Sequence, residues 1–203
     1  MNEFEKLIQF LRLTHQFQNV KRTNRAADAE RRENDAEHSF QTALIAWFLA
    51  DMLQLPLDRE RLIKYALVHD LAEVYAGDVD PHYSSDEQKT DKAKREHDAL
   101  LQLEQEFPEF PQLHEAQREY HQRGDPEAEL VYALDKLLCF LNIYMTNDPY
   151  YVVLQHKRAI SMLDDVRATR HKVEGCEAIL ELYECFQRML EDGVRDQPEK
   201  PIT

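Results

Sequence analysis

Residues 62–78 read LIKYALVHDLAEVYAGD, and the reading of this stretch decides how the rest of the chain is taken. Leu62, Ile63, Ala66, Leu67 and Val68 recur at helical spacing and define a buried face. Steps of one turn from Leu62 and Ala66 lead to His69 and then Glu73, which share a face at i, i+4. The parallel row from Ile63 and Leu67 leads to Asp70 and Val74. The spacing therefore predicts one helix carrying an imidazole and a carboxylate side by side, about 100° apart around its axis, at its inward end. Burying that pair is costly unless something compensates, and a metal ion held by both does so. Gly77 then turns the chain and returns Asp78 towards the same end. A second His-Asp dipeptide, His97-Asp98, lies in the charged run DKAKREHD and reads as a solvated helix face.

Around this stretch, 203 residues are enough for one domain, or a tight pair, with a proper core. Only four glycines, many helix formers and no run of alternating β-branched residues point to an all-α fold. The expected architecture is a compact multi-helix bundle forming a single domain over 1–203. Its chemistry-bearing core spans about 4–146, helices within 149–191 pack on that core, and 192–203 is a frayed tail. A net charge of −14 excludes a general nucleic-acid-binding surface. Nothing resembles a signal peptide, and no apolar run approaches the ~20 residues that span a bilayer. Cys139, Cys176 and Cys185 fall inside helical patterns and read as reduced thiols of a cytoplasmic protein.

The remaining elements place further ionisable groups. Residues 2–18 form an amphipathic helix, and 19–33 break its pattern with Lys21, Arg22, Arg25, Arg31 and Arg32, a local reversal of sign that reads either as a solvated loop partly neutralised by Asp28, Glu30 and Glu33 or as a place to receive a phosphate. A helix capped by Asn34 or Asp35 runs to about Leu53; its body is apolar on nearly all sides, which places it centrally. Pro56 and Asp58 turn the chain into the Leu62 helix as an antiparallel neighbour, so His38 in the first turn can approach His69 and Asp70. Residues 80–85 form a polar loop, 88–107 a charged amphipathic helix, and 112–122 a short helix whose His114 and His121 read as surface residues. Gly124-Asp125-Pro126 then opens a long helix with Asp135 on its apolar face, where a carboxylate demands a counter-charge or a metal. The last helices, over 149–171 and 174–191, carry ordinary amphipathic patterns.

Collected in order, the anomalies are His38, His69-Asp70 and Asp135. Two imidazoles and two carboxylates make a mixed nitrogen and oxygen shell suited to a divalent ion, Mn, Co, Fe, Ni, Zn or Mg. This spaced pattern resembles that of the HD-domain metal-dependent phosphohydrolases, most closely the bacterial 5'-deoxynucleotidase branch. The matching segments are RENDAEHS at 32–39, HDLAEVYAGD at 69–78 and ALDKL at 133–137. The resemblance implies a helical domain holding one divalent metal through His38, His69, Asp70 and Asp135. It implies hydrolysis of a phosphate monoester of a (deoxy)nucleoside monophosphate, in a homodimer. By position Glu73 matches the residue that handles the attacking water, Asp78 one near the sugar and phosphate, and Arg22 the residue that meets the phosphate. The deoxynucleotidases place a tryptophan close after that arginine, where this chain reads Thr23-Asn24-Arg25.

The chemistry of these residue types is consistent with that reading. A divalent ion acidifies water and polarises a phosphoryl oxygen. Glu73 can orient the water or take its proton, and Arg22 can meet the developing charge with Arg25 and Arg32 as helpers. Glu119 joins these three as a candidate substrate-binding residue. Two other readings fit the same residues. One is an HD hydrolase acting on a nucleoside triphosphate, a cyclic dinucleotide or an alarmone. The other is a non-enzymatic helical dimerisation module with a structural metal, against which stands the presence of Glu73 and Asp78.

Overall fold

The computed structural model describes residues 1–26, 30–77, 86–148, 151–153 and 161–192. In chain order the elements are α1 (Glu3–Phe17), β1 (Lys21–Arg25), β2 (Arg32–Asn34), α2 (Asp35–Met52), α3 (Arg59–Val68), α4 (Glu73–Ala76), α5 (Asp86–Glu106), α6 (Pro111–Gln122), α7 (Pro126–Thr146), α8 (Met162–Thr169), a single 3₁₀ turn (Arg170–Lys172) and α9 (Glu177–Glu191). Among the described residues the fold is all-α apart from one short strand pair. None of the described helices is long and apolar enough to cross a membrane. The chain divides into two compact units, Met1–Thr23 with Arg32–Val131, and Asn24–Arg31 with Tyr132–Thr203.

In the first unit the helix starts follow local chemistry. Asn2 and Asn34 each accept a hydrogen bond from the amide three residues on, and Glu5 and Glu37 reciprocate to the cap amides. Asp58 caps α3 through the amides of Glu60 and Arg61, and its own amide donates to the buried carboxylate of Glu127 at 2.7 Å. Leu13, Phe17, Leu71, Leu103, Phe107 and Leu113 pack into one core cluster.

Three expectations need correction here. The connector over 19–33 holds two short strands joined in a two-stranded sheet; KRTNR carries one β-branched residue, so nothing in its composition announced a strand. Helix α2 is not buried all round. Ala43, Ala46 and Ala50 face inward and their small size lets α3 pack close, while Phe40, Leu44, Trp47 and Phe48 remain exposed on the other side. Finally, the helix predicted through 62–76 breaks: α3 ends at Val68, and the chain continues by three-residue steps (Leu71 N to Val68 O 3.1 Å, Glu73 N to Asp70 O 2.9 Å) before the single turn of α4.

The second unit has its own core of Val166, Ile179, Tyr183 and Phe186, with Phe140 edge-on to Tyr183 at 6.3 Å between centroids. The Tyr183 hydroxyl donates to the Val166 carbonyl at 2.9 Å, and burial pushes the phenol up to about 12. Asp148, almost fully buried, accepts the Arg25 amide at 3.0 Å and lies 3.9 Å from its guanidinium.

Candidate metal site

The break after α3 is what makes the site. His69, the residue closing α3, turns its ring back so that Nδ1 lies 2.8 Å from the Ala66 carbonyl oxygen. A carbonyl only accepts, so Nδ1 carries a proton, and in the neutral ring Nε2 presents its lone pair outward. Nε2 stands 3.0 Å from Asp70 Oδ2, and His38 Nε2 stands 3.9 Å from the same oxygen. The two imidazoles are 5.3 Å apart between centroids and almost fully buried, at 1% and 4% exposure. In the neutral ring that lone pair faces a carboxylate oxygen at 3.0 Å, a repulsive contact that a cation, either a metal ion or a second ring proton, relieves. Two ring nitrogens and a carboxylate oxygen converging in a buried corner therefore fit a divalent ion with nitrogen and oxygen ligands.

The carboxylates around this corner outnumber those expected. Oxygens of Asp35, Asp70 and Glu73 lie within 4.8 Å of one another. Arg22 reaches in from β1, its Nη1 donating to Asp70 Oδ2 at 2.7 Å and to Asp35 Oδ1 at 3.3 Å, with Nε 3.7 Å from Glu33. Glu33 in turn lies 3.8 Å from His38 Nδ1. Asp35 and Glu33 did not emerge from the sequence as site residues. In the sequence Asp35 reads only as a cap, although its spacing of three from His38 puts both on one helix face.

The HD domain profile matches residues 14–174. The chain belongs to the HD domain family. The human protein 5'-deoxynucleotidase HDDC2 is 33% identical over 154 residues, which cover 74% of this chain and 71% of the human one. The bovine protein of the same name is 35% identical over 133 residues, or 64% and 62% of the two chains. Among solved structures, the PH0347 protein of Pyrococcus horikoshii OT3 is 28% identical with a TM-score of 0.65, covering 90% of this chain and 99% of that one. A protein described as a "Predicted metal-dependent phosphohydrolase" from Magnetospirillum magnetotacticum MS-1 shares the fold, with a TM-score of 0.72, 24% identity and 94% coverage of both chains.

The other candidate residues of this HD domain chain fall as follows. Asp135 lies on α7 in the second unit, buried, with the Lys136 ammonium against its Oδ2. Glu73 opens α4 and is half-buried. Asp78 lies outside the described residues. Arg25 is engaged within the second unit, by Asp148 and by the Glu30 carbonyl at 2.8 Å, and Arg32 is exposed on β2. Asn24, where the expected tryptophan would be near, is buried with its amide 3.4 Å from Cys139 Sγ. Glu119 on α6 accepts the Tyr65 hydroxyl at 2.8 Å. His121 is exposed as expected, but His114 is buried, its Nε2 2.7 Å from the Phe107 carbonyl; it closes the turn between α5 and α6.

Proposed function

We propose that this HD domain chain is a metal-dependent phosphohydrolase that cleaves the phosphate monoester of (deoxy)nucleoside monophosphates, with deoxyribose preferred. The convergence of His38, His69 and Asp70 in a buried corner, with Arg22 alongside, carries the reading. Kinship to 5'-deoxynucleotidase HDDC2 supports the substrate class. His38, His69 and Asp70 hold one divalent ion, and Asp135 is the fourth ligand. When bound, that ion supplies Lewis-acid polarisation of a phosphoryl oxygen and an acidified water.

The chain's own residues do the rest. The Ala66 carbonyl holds the His69 Nδ1–H, so that in the neutral ring Nε2 is the nitrogen left to coordinate. Glu73, three residues on from Asp70, is anchored by its own amide to the Asp70 carbonyl at 2.9 Å and accepts the proton of the attacking water. Arg22, already turned towards this corner, brings a guanidinium to meet the phosphate. Asp78 is assigned to the sugar end. A phosphate-release screen over ribo- and deoxyribonucleotides with Mn, Co, Ni, Zn and Mg tests the reading. Release from monophosphates is expected, and release only from triphosphates or cyclic dinucleotides would refute it.

The working unit is a homodimer. Phe40, Leu44, Trp47 and Phe48 follow each other at helical steps along one side of α2, and Phe4, Leu7 and Leu11 do the same along the neighbouring α1. Phe40 is 65% and Phe48 60% exposed, an apolar stripe that a second copy would cover. Trp47→Glu should shift the mass in sedimentation equilibrium from dimer to monomer. The three thiols, none of them deeply buried, suit the reducing cytoplasm where we place the enzyme.

A further inference from the structure

The metal ligands stand at one end of a row of rings. His38 and His69 lie 5.3 Å apart, His69 and Tyr120 5.8 Å, and Tyr120 and Tyr65 6.3 Å, all between centroids. Tyr65 sits one helical turn before His69 on α3, is 1% exposed, and ends the row. Its hydroxyl is unusually placed for a packing residue. It meets Glu119 Oε2 at 2.8 Å and Asp125 Oδ2 at 2.7 Å, while Asp125 Oδ1 accepts the Ala128 amide at 2.8 Å in the first turn of α7. A phenol has one proton, so the two carboxylates share it. Arg61, 3.5 Å from Asp125, supplies the nearby positive charge. A second tie comes from the same side: Gln117 of α6, itself 1% exposed, donates to the Val68 carbonyl at 3.4 Å, at the point where α3 ends.

We propose that Tyr65 is a positioning residue for the metal site. With its hydroxyl clasped by Glu119 and Asp125, its ring and that of Tyr120 hold the His69 imidazole in the plane that keeps Nδ1 on the Ala66 carbonyl and Nε2 facing Asp70. Tyr65 touches neither substrate nor metal. The inference rests on the metal reading above. Outer residues that orient a ligating histidine are known to affect metal affinity more than their distance suggests.

The test compares wild type, Tyr65→Phe and the double variant Tyr65→Phe/Glu119→Gln. The double variant removes the charge repulsion left when the shared proton is lost. Cobalt(II) titration followed by the visible bands of the bound ion reads affinity and ligand field. The imidazole ¹H–¹⁵N correlations of the metal-free protein read the His69 Nδ1–H directly, and thermal melting reads stability. Tyr65→Phe should weaken cobalt binding roughly 10- to 100-fold, the usual range for losing such support, and change the bands. It should also broaden or shift the His69 Nδ1–H signal. If Tyr65→Phe folds poorly, the double variant decides: its melting temperature should recover while affinity and the His69 signal do not. Wild-type affinity and an unchanged His69 signal in Tyr65→Phe would overturn the proposal, as would recovery of stability, affinity and signal together in the double variant. A wild type that takes up no cobalt would refute the metal reading instead, and the His69 signal alone would then decide the role of Tyr65.

Discussion

The chain contains the dipeptide His-Asp twice, and the two copies meet opposite fates. His97-Asp98 lies inside the unbroken α5 and both side chains are exposed. His69-Asp70 lies where α3 stops, and there the imidazole gives its proton to a helix carbonyl while the carboxylate collects Arg22 and both histidines. The residues are the same, so chemistry is not what separates them. In α5 the backbone groups are satisfied by the helix and the side chains by water. At the end of α3 a ring takes over a backbone acceptor, both imidazoles are withdrawn from water, and the polar atoms left must be satisfied by each other or by an ion.

The largest expected effects break the His69-Asp70 copy. His69→Ala or Asp70→Asn should take the protein from one bound ion per chain towards none, read by elemental analysis after gentle purification, and abolish phosphate release. Full metal content in either variant would remove the site as assigned. Next comes Glu73. It is one turn of chain beyond Asp70 and assigned to the water, so Glu73→Gln should leave metal content and melting unchanged while lowering turnover by about 10²- to 10⁴-fold. Loss of metal in Glu73→Gln would make it a ligand instead.

Much of this was legible in the sequence, for reasons that differ by residue. Asn34 with Glu37, and Asp58 before Arg59, are local capping signals, and locally determined features can be read locally. The buried His and Asp residues stood out because they interrupt apolar spacing. The break after Val68 could not be read, since LVHDLAEV keeps helical periodicity throughout, and the imidazole that occupies the Ala66 carbonyl at the helix end leaves no mark in that periodicity. The strands in KRTNR and REN were hidden because their pairing is backbone chemistry with almost no side-chain signature. The exposed side of α2 was hidden for another reason: periodicity marks a residue as apolar, and says nothing about which molecule covers it.

The comparison sharpens along β1, where Arg22 and Arg25 both meet carboxylates. Arg22 faces the Asp35 and Asp70 cluster, whereas Arg25 spends its amide and guanidinium on Asp148. Arg22→Ala should weaken phosphate recognition by about 1.5–3 kcal/mol, the range for a charged hydrogen bond, read as a rise in KM or in the Ki of inorganic phosphate. Arg25→Ala should leave the Ki alone and lower the melting temperature, because the Asp148 carboxylate is buried. A larger change in Ki for Arg25→Ala than for Arg22→Ala would reverse the assignment. Smaller still is Gly77→Ala. Gly77 closes α4 at φ +73° and ψ 147°, and an added Cβ would meet nothing within 4 Å. The cost is then backbone strain alone, about 1–3 kcal/mol by chemical denaturation. Gly124→Ala, equally uncrowded, serves as its control.

The smallest expected effect is the one that most directly tests the opening contrast. His97→Ala and Asp98→Asn alter the second dipeptide within a helix that does not need either side chain for its backbone hydrogen bonds. Both groups face water, so their removal creates no cavity and strands no buried partner. Alanine is the better helix former, which offsets part of whatever surface electrostatics are lost. Each variant should therefore lie within about 0.5 kcal/mol of wild type by urea denaturation, the range for surface positions away from special features. Metal content and turnover should be unchanged. The outcome that would damage the contrast is loss of metal or activity in His97→Ala, because α5 would then contribute to the chemistry and the dipeptide, rather than the helix end, would be the common cause.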